Sequence, residues 1–115
     1  MEKSKLIENL FSLIASMKTA EDCRKLFSDM CTEREIEQMA QRIYAAKLLL
    51  EGKTYGQVTE LCDISSATLS RVSRCVQYGE GYNKFLKYPL KTQKYMVKYK
   101  YKHKRSNKNG KESFS

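Results

Sequence analysis

From Leu6 onward the apolar residues recur at helical spacing, every third or fourth position, and no period-2 run of β-branched residues bounded by turns marks a strand; the alternation of Lys with Tyr or His after Lys98 belongs to a lysine-rich tail. The helical periodicity restricts the chain to helices packed on helices. Breakers are sparse: the only proline is Pro89, and the glycines are Gly52, Gly56, Gly79, Gly81 and Gly110. The expected fold class is all-α. With 115 residues there is room for one domain of ordinary size. Its core is modest, so helix packing or oligomerisation must supply much of the stability.

Local signals divide the chain into segments. The first, about Glu2 to Met17, sets Leu6, Leu10, Leu13, Ile14 and Met17 along one stripe, which Ile7 and Phe11 widen. A stripe that broad exceeds the face one neighbour covers. Thr19 is placed to cap a short helix from Ala20 to about Asp29, with Cys23, Leu26 and Phe27 on its apolar side. Thr32 and Glu35 have capping-box spacing before a third helix. Its expected apolar side carries Ile36, Met39, Ala40, Ile43, Tyr44, Leu48 and Leu50, and Gly52 is expected to stop it at positive φ.

Two short helical patterns then follow closely. Thr54 and Gln57 repeat the capping spacing ahead of Val58 and Leu61, the chain turns through Cys62-Asp63-Ile64, and Ser65 is suited to cap a longer helix with Leu69, Val72 and Val76 inward. A short helix, a turn of three or four residues and a longer helix is the helix-turn-helix layout, here spanning about 54–78. The second helix offers Ser65, Ser66, Ala67, Thr68, Ser70 and Arg71, with no acidic residue before Glu80. Small hydroxyl and methyl side chains let a helix sink into a major groove and meet base edges or thymine methyls. Arg71 and Arg74 reach outward for phosphate or guanine, and Thr54 and Gln57 are candidates for backbone contacts. The bland alternative is a helical hairpin whose serines are merely exposed.

Charge separates the chain into two parts. Residues 1–83 carry 11 Lys/Arg against 12 Asp/Glu, whereas residues 84–115 carry 11 Lys/Arg against Glu112 alone. The expected organisation is a helical domain over 1–83 and a basic extension over 84–115. One more amphipathic helix is expected in that extension, through Phe85, Leu86, Tyr88, Leu90, Tyr95, Met96 and Val97 with an interruption near Pro89, before disorder after Lys98. A polyanion is the natural partner of such a tail. Tyrosines interleaved with lysines also suit unpaired bases, so an RNA- or ribosome-associated protein acting through the tail is the alternative reading.

Several classes are excluded. No run of about 18 apolar residues exists to span a membrane, and the polar Glu8, Asn9 and Ser12 break up the start of the chain as a secretory signal, so the expected location is cytoplasmic. Cys23, Cys31, Cys62 and Cys75 form no C-x-x-C pair and the one histidine is His103. They read as buried thiols, and no metal or cofactor is expected. No carboxylate pair, nucleophile–histidine set or phosphate loop suggests an enzyme.

The run from Thr54-Tyr55-Gly56-Gln57-Val58 through Ser65-Ser66-Ala67-Thr68-Leu69-Ser70-Arg71-Val72 resembles the helix-turn-helix of the Trp repressor superfamily. With Phe27 to Ile36, Ala40-Gln41-Arg42, Leu48 to Tyr55 and Ser73 to Tyr82, the likeness narrows to the YerC/YecD-type members and covers about residues 5–82. The resemblance implies an intertwined helical homodimer that binds double-stranded DNA at a pseudo-palindromic operator, as a transcriptional regulator and more often a repressor. It implies DNA-facing roles for Gly56 and Thr59 on the first helix and for Ser66, Ala67 and Ser70 on the second. It also places Arg42 and Arg71 where the Trp repressor holds its co-repressor. Here Val72 and Cys75 replace a glycine and a serine beside that pocket. An isopropyl group intrudes on indole space and a thiol is a poor partner for an amino group, so an effector pocket at Arg42, Arg71, Val72 and Cys75 is not expected to take tryptophan.

Overall fold

The structure is a computed structural model that describes residues 1–87, with six helices: α1 (Lys3–Ala15), α2 (Ala20–Met30), α3 (Glu33–Leu50), α4 (Tyr55–Leu61), α5 (Ser66–Tyr78) and α6 (Gly81–Leu86). Among the described residues there is no strand, and no helix long and apolar enough to cross a membrane. The helix expected to run on through Tyr88, Leu90, Tyr95, Met96 and Val97, and the loose run after Lys98, lie outside the described residues. The chain divides into two compact units, Met1–Ile36 and the part from Glu37 onward.

In the first unit, local chemistry sets the helix ends. Asp22 donates its N–H to Thr19 Oγ1 at 3.0 Å, so the threonine caps α2, and Glu21 and Asp22 sit against the positive end of that helix. The capping box before α3 is complete: Glu35 N–H donates to Thr32 Oγ1 at 3.1 Å, and Thr32 N–H donates to Glu35 Oε1 at 2.8 Å. The stripe of α1 stays in the open. None of its residues is buried, and Leu6 and Phe11 keep 54% and 58% of their surface.

The second unit holds the core. Leu48, Val58, Leu69 and Val72 are fully enclosed, with Tyr44, Ala45, Ala46, Leu61 and Cys62 around them. The apolar side expected for α3 is corrected in two respects: Ala40 and Ile43 are exposed, and the enclosed run is wider than a stripe. Five consecutive residues, Tyr44 to Leu48, are buried, and successive helical residues point about 100° apart, so this half of α3 is enclosed on every side. Lys47 is buried with the rest, its Nζ 3.6 Å from Glu51 Oε2, while Ile43 keeps 45% exposure. Of the cysteines, Cys62 alone is buried, and burial pushes its thiol up to about 12. The other three are half-buried rather than enclosed as expected.

Two glycines answer to different constraints. Gly52 has φ +92°, its N–H donates to Leu49 O at 3.0 Å, and Lys53 N–H donates to Leu48 O at 3.0 Å. This is the closing motif in which a left-handed residue satisfies the last carbonyls of a helix. Gly79 is extended, and its constraint is space: a Cβ there would lie 2.7 Å from the Cys75 carbonyl oxygen. Its N–H donates to that same oxygen, while Asn83 Nδ2 donates to Val76 O at 2.7 Å and to Gly79 O at 3.2 Å, tying α6 to the end of α5. Gly79→Ala is therefore expected to destabilise the fold by about 1–3 kcal/mol, because backbone must move to admit the methyl. Gly81→Ala, where a Cβ meets nothing, should leave the thermal midpoint unchanged or raise it. Parallel thermal melts of the two variants make the comparison.

Candidate nucleic-acid interface

The α4–α5 pair is held from inside by Val58, Leu61, Leu69 and Val72, all buried, and by the half-buried Ile64. The periodicity assigns Val58, Leu61, Leu69 and Val72 to the task, and Ile64 joins them from the turn. The four residues from Cys62 to Ser65 join the helices. Asp63 N–H in this turn donates to Gln41 Oε1 on α3 at 3.1 Å.

Both helices of the pair begin with a polar cap. Gln57 N–H donates to Thr54 Oγ1 at 3.2 Å and Thr54 N–H to Gln57 Oε1 at 2.9 Å, a second reciprocal box. Thr68 N–H donates to Ser65 Oγ at 3.1 Å, and the Ser65 hydroxyl donates in turn to Thr68 Oγ1 at 2.9 Å. Four of the residues singled out from sequence therefore already shape the helix starts. The remaining ones present themselves outward: Gly56, Thr59, Ser66, Ala67, Ser70, Arg71 and Arg74 are exposed. On α5, positions 66, 67, 70, 71 and 74 follow helical spacing and share one face. Among the described residues, Ser66, Ser70, Arg71 and Arg74 make no internal side-chain hydrogen bond, and the exposed Thr59 donates its Oγ1 hydroxyl to Gly56 O at 2.9 Å.

The electrostatics of the helix starts differ along the chain. The first turns of α2 and α3 carry Glu21, Asp22, Glu33 and Glu35, whereas those of α4 and α5 carry no acid. The positive end of α5 is thus left uncompensated by side chains, with the Ser66 and Ala67 N–H groups ahead of its first internal bond, from Leu69 N–H to Ser65 O.

Behind this face lies a groove of about 690 Å³ that brings Arg42, Arg71, Val72 and Cys75 together. Ile43 lines it from α3, and Tyr82, Phe85 and Leu86 line it from α6. Sequence reasoning placed Phe85 and Leu86 on a helix beginning past Tyr82. The observed α6 starts at Gly81, with no side-chain cap to announce it, and the i, i+3, i+4 spacing of Tyr82, Phe85 and Leu86 is the signal that marks it.

Against known proteins, the profile described as Trp repressor protein matches residues 5–89. The uncharacterized protein YerC of Bacillus subtilis (strain 168) is 43% identical over 77 residues, covering 67% of this chain and 74% of that protein. No solved structure matches.

Proposed function

This chain belongs to the Trp repressor family, and from that premise we propose that it is a sequence-specific DNA-binding transcriptional regulator, a repressor, that acts as a homodimer on a pseudo-palindromic operator. The observation that carries the reading is the outward face of α5. It combines small hydroxyl and methyl groups at Ser66, Ala67 and Ser70, arginines at 71 and 74, and a helix start free of acids. Such a surface enters a major groove without steric or electrostatic penalty. Thr54, Gln57, Ser65 and Thr68 fix where each helix begins, and so hold the two helix starts in place beside the phosphates.

The dimer rests on α1. Its exposed stripe of Leu6, Ile7, Leu10, Phe11 and Leu13 is too large to stay in water, and a second copy covers it. Two-fold symmetry then places two reading helices about one turn of DNA apart, roughly 34 Å. On this reading the groove at Arg42 and Arg71 takes no tryptophan, because a valine and a cysteine stand at positions 72 and 75. Residues 84–115, with ten more basic than acidic side chains, supply phosphate affinity without sequence information.

Selection of genomic fragments on the purified protein tests this. Recovered sites with dyad symmetry and half-sites one helical turn apart are the expected result, and sites sharing no motif would end the proposal. Arg71→Ala is expected to weaken binding to every duplex alike and to flatten the salt slope by about one unit. A loss confined to one base-pair position would instead assign Arg71 to a guanine.

The charge of residues 84–115 favours a second reading, an RNA-associated protein that binds through that segment. Truncation after Lys87 separates the two. The regulator keeps its motif and loses general affinity, whereas the RNA-associated protein loses all nucleic-acid binding.

A further inference from the structure

The hydrogen bond from Asp63 N–H to Gln41 Oε1, 3.1 Å long, joins residues 22 positions apart in the chain. Gln41 sits half-buried on α3, three residues before the enclosed run that begins at Tyr44. Asp63 is the exposed member of the turn between α4 and α5. Its neighbours are anchored by packing, Cys62 inside the core and Ile64 against it, but the hydrophobic effect that buries them is non-directional. A hydrogen bond is directional, so the Gln41 amide adds the constraint that packing lacks. Two residues further on, Ser65 caps α5, and the outward Ser66 and Ala67 follow it directly.

We propose that Gln41 is a positioning residue that sets the pose of the α5 reading face on DNA and thereby its sequence discrimination. The inference rests on the function proposed above. Base-edge contacts tolerate little misplacement, whereas contacts to phosphates survive it. Loss of the Gln41 bond therefore lowers affinity for the cognate site and spares affinity for unrelated duplex. Stability changes little, because the freed Asp63 N–H lies at the surface and turns to water.

The test uses the full-length chain and the site recovered by selection with the wild-type protein. Gln41→Met keeps the length of the side chain and removes its acceptor, while Gln41→Glu keeps an acceptor at the same reach. For Gln41→Met the ratio of cognate to unrelated affinity is expected to fall about tenfold, roughly what one well-formed contact contributes to discrimination. Its Asp63 amide resonance should lose the downfield shift of a hydrogen-bonded proton. Gln41→Glu should recover both the ratio and the shift, since an added charge weakens cognate and unrelated binding together. An unchanged ratio in Gln41→Met, or a ratio that falls only as far as the melting temperature does, overturns the positioning role. If the wild-type protein recovers no motif at all, the regulator reading fails first, and the two failures are told apart.

Discussion

Glutamates placed together at Ser66 and Ser70 are expected to abolish specific duplex binding while leaving the protein as stable as before. Both serines are exposed, lie on the same face of α5 and make no internal side-chain hydrogen bond among the described residues. In the proposed complex they face base edges and flanking phosphates. A carboxylate there is stripped of water without a partner and repelled by the backbone, which costs about 2–5 kcal/mol for a buried unpaired charge. Two such groups remove at least about a thousandfold of affinity. The helix itself gains, because the first turn of α5 carries no acid, and a glutamate at its start complements the dipole by about 0.3–1 kcal/mol. The sign of the two effects is therefore opposite: Tm holds or rises while binding disappears. Anisotropy titrations on the selected site, beside a thermal melt, read both. Retention of cognate binding within a few-fold would place the DNA-reading surface elsewhere. The corresponding double alanine variant, which adds no charge, should weaken binding by far less.

The starts of α2, α3, α4 and α5 were legible because each carries its signal within four residues. Thr19, Thr32, Thr54 and Ser65 are polar residues that accept the N–H three positions on, and Gly52 closes α3 at positive φ. The inward residues of α4 and α5 were legible as well, since a helix with one buried face repeats its apolar positions. The enclosed half of α3 was not. Ala45, Ala46 and Lys47 are small or charged, and periodicity assigns such residues no inward preference. The Gln41–Asp63 bond was hidden for another reason. It depends on how α3 meets a turn 22 residues later, and no local rule spans that distance. In the α5 face, sequence named the residues but did not divide them. Ser65 and Thr68 bond to each other and to backbone, whereas Ser66 and Ser70 make no such bond among the described residues. The division guides the choice of serines above: substitution at Ser65 would confuse loss of a cap with loss of a contact, and substitution at Ser66 and Ser70 does not.

Aspartates at Leu10 and Phe11 carry the heaviest expected penalty on assembly. Neither side chain is buried in the single chain, and Phe11 keeps 58% of its surface. Among the described residues the enclosed core, Tyr44 to Val72, contains no α1 side chain. The substitutions therefore spare that core and act on whatever covers α1. In a two-fold dimer each change occurs twice, so four apolar side chains lose their burial, on the order of 6–12 kcal/mol. A nanomolar dimer is held by about 12 kcal/mol, and the loss moves dissociation into the micromolar to millimolar range or beyond. Sedimentation equilibrium should then report a monomer, where the proposed function expects the wild-type chain to sediment as a dimer. Operator affinity falls with it, because one reading helix binds a half-site without the effective concentration that its twin provides. The same variant keeps α5 intact, so isolated half-site binding at high protein concentration should persist. A double variant that remains dimeric would show that the α1 stripe is covered by something other than a second copy. A double variant that becomes monomeric yet binds the full operator with undiminished affinity would remove two-fold symmetry from the account of how this protein finds its site.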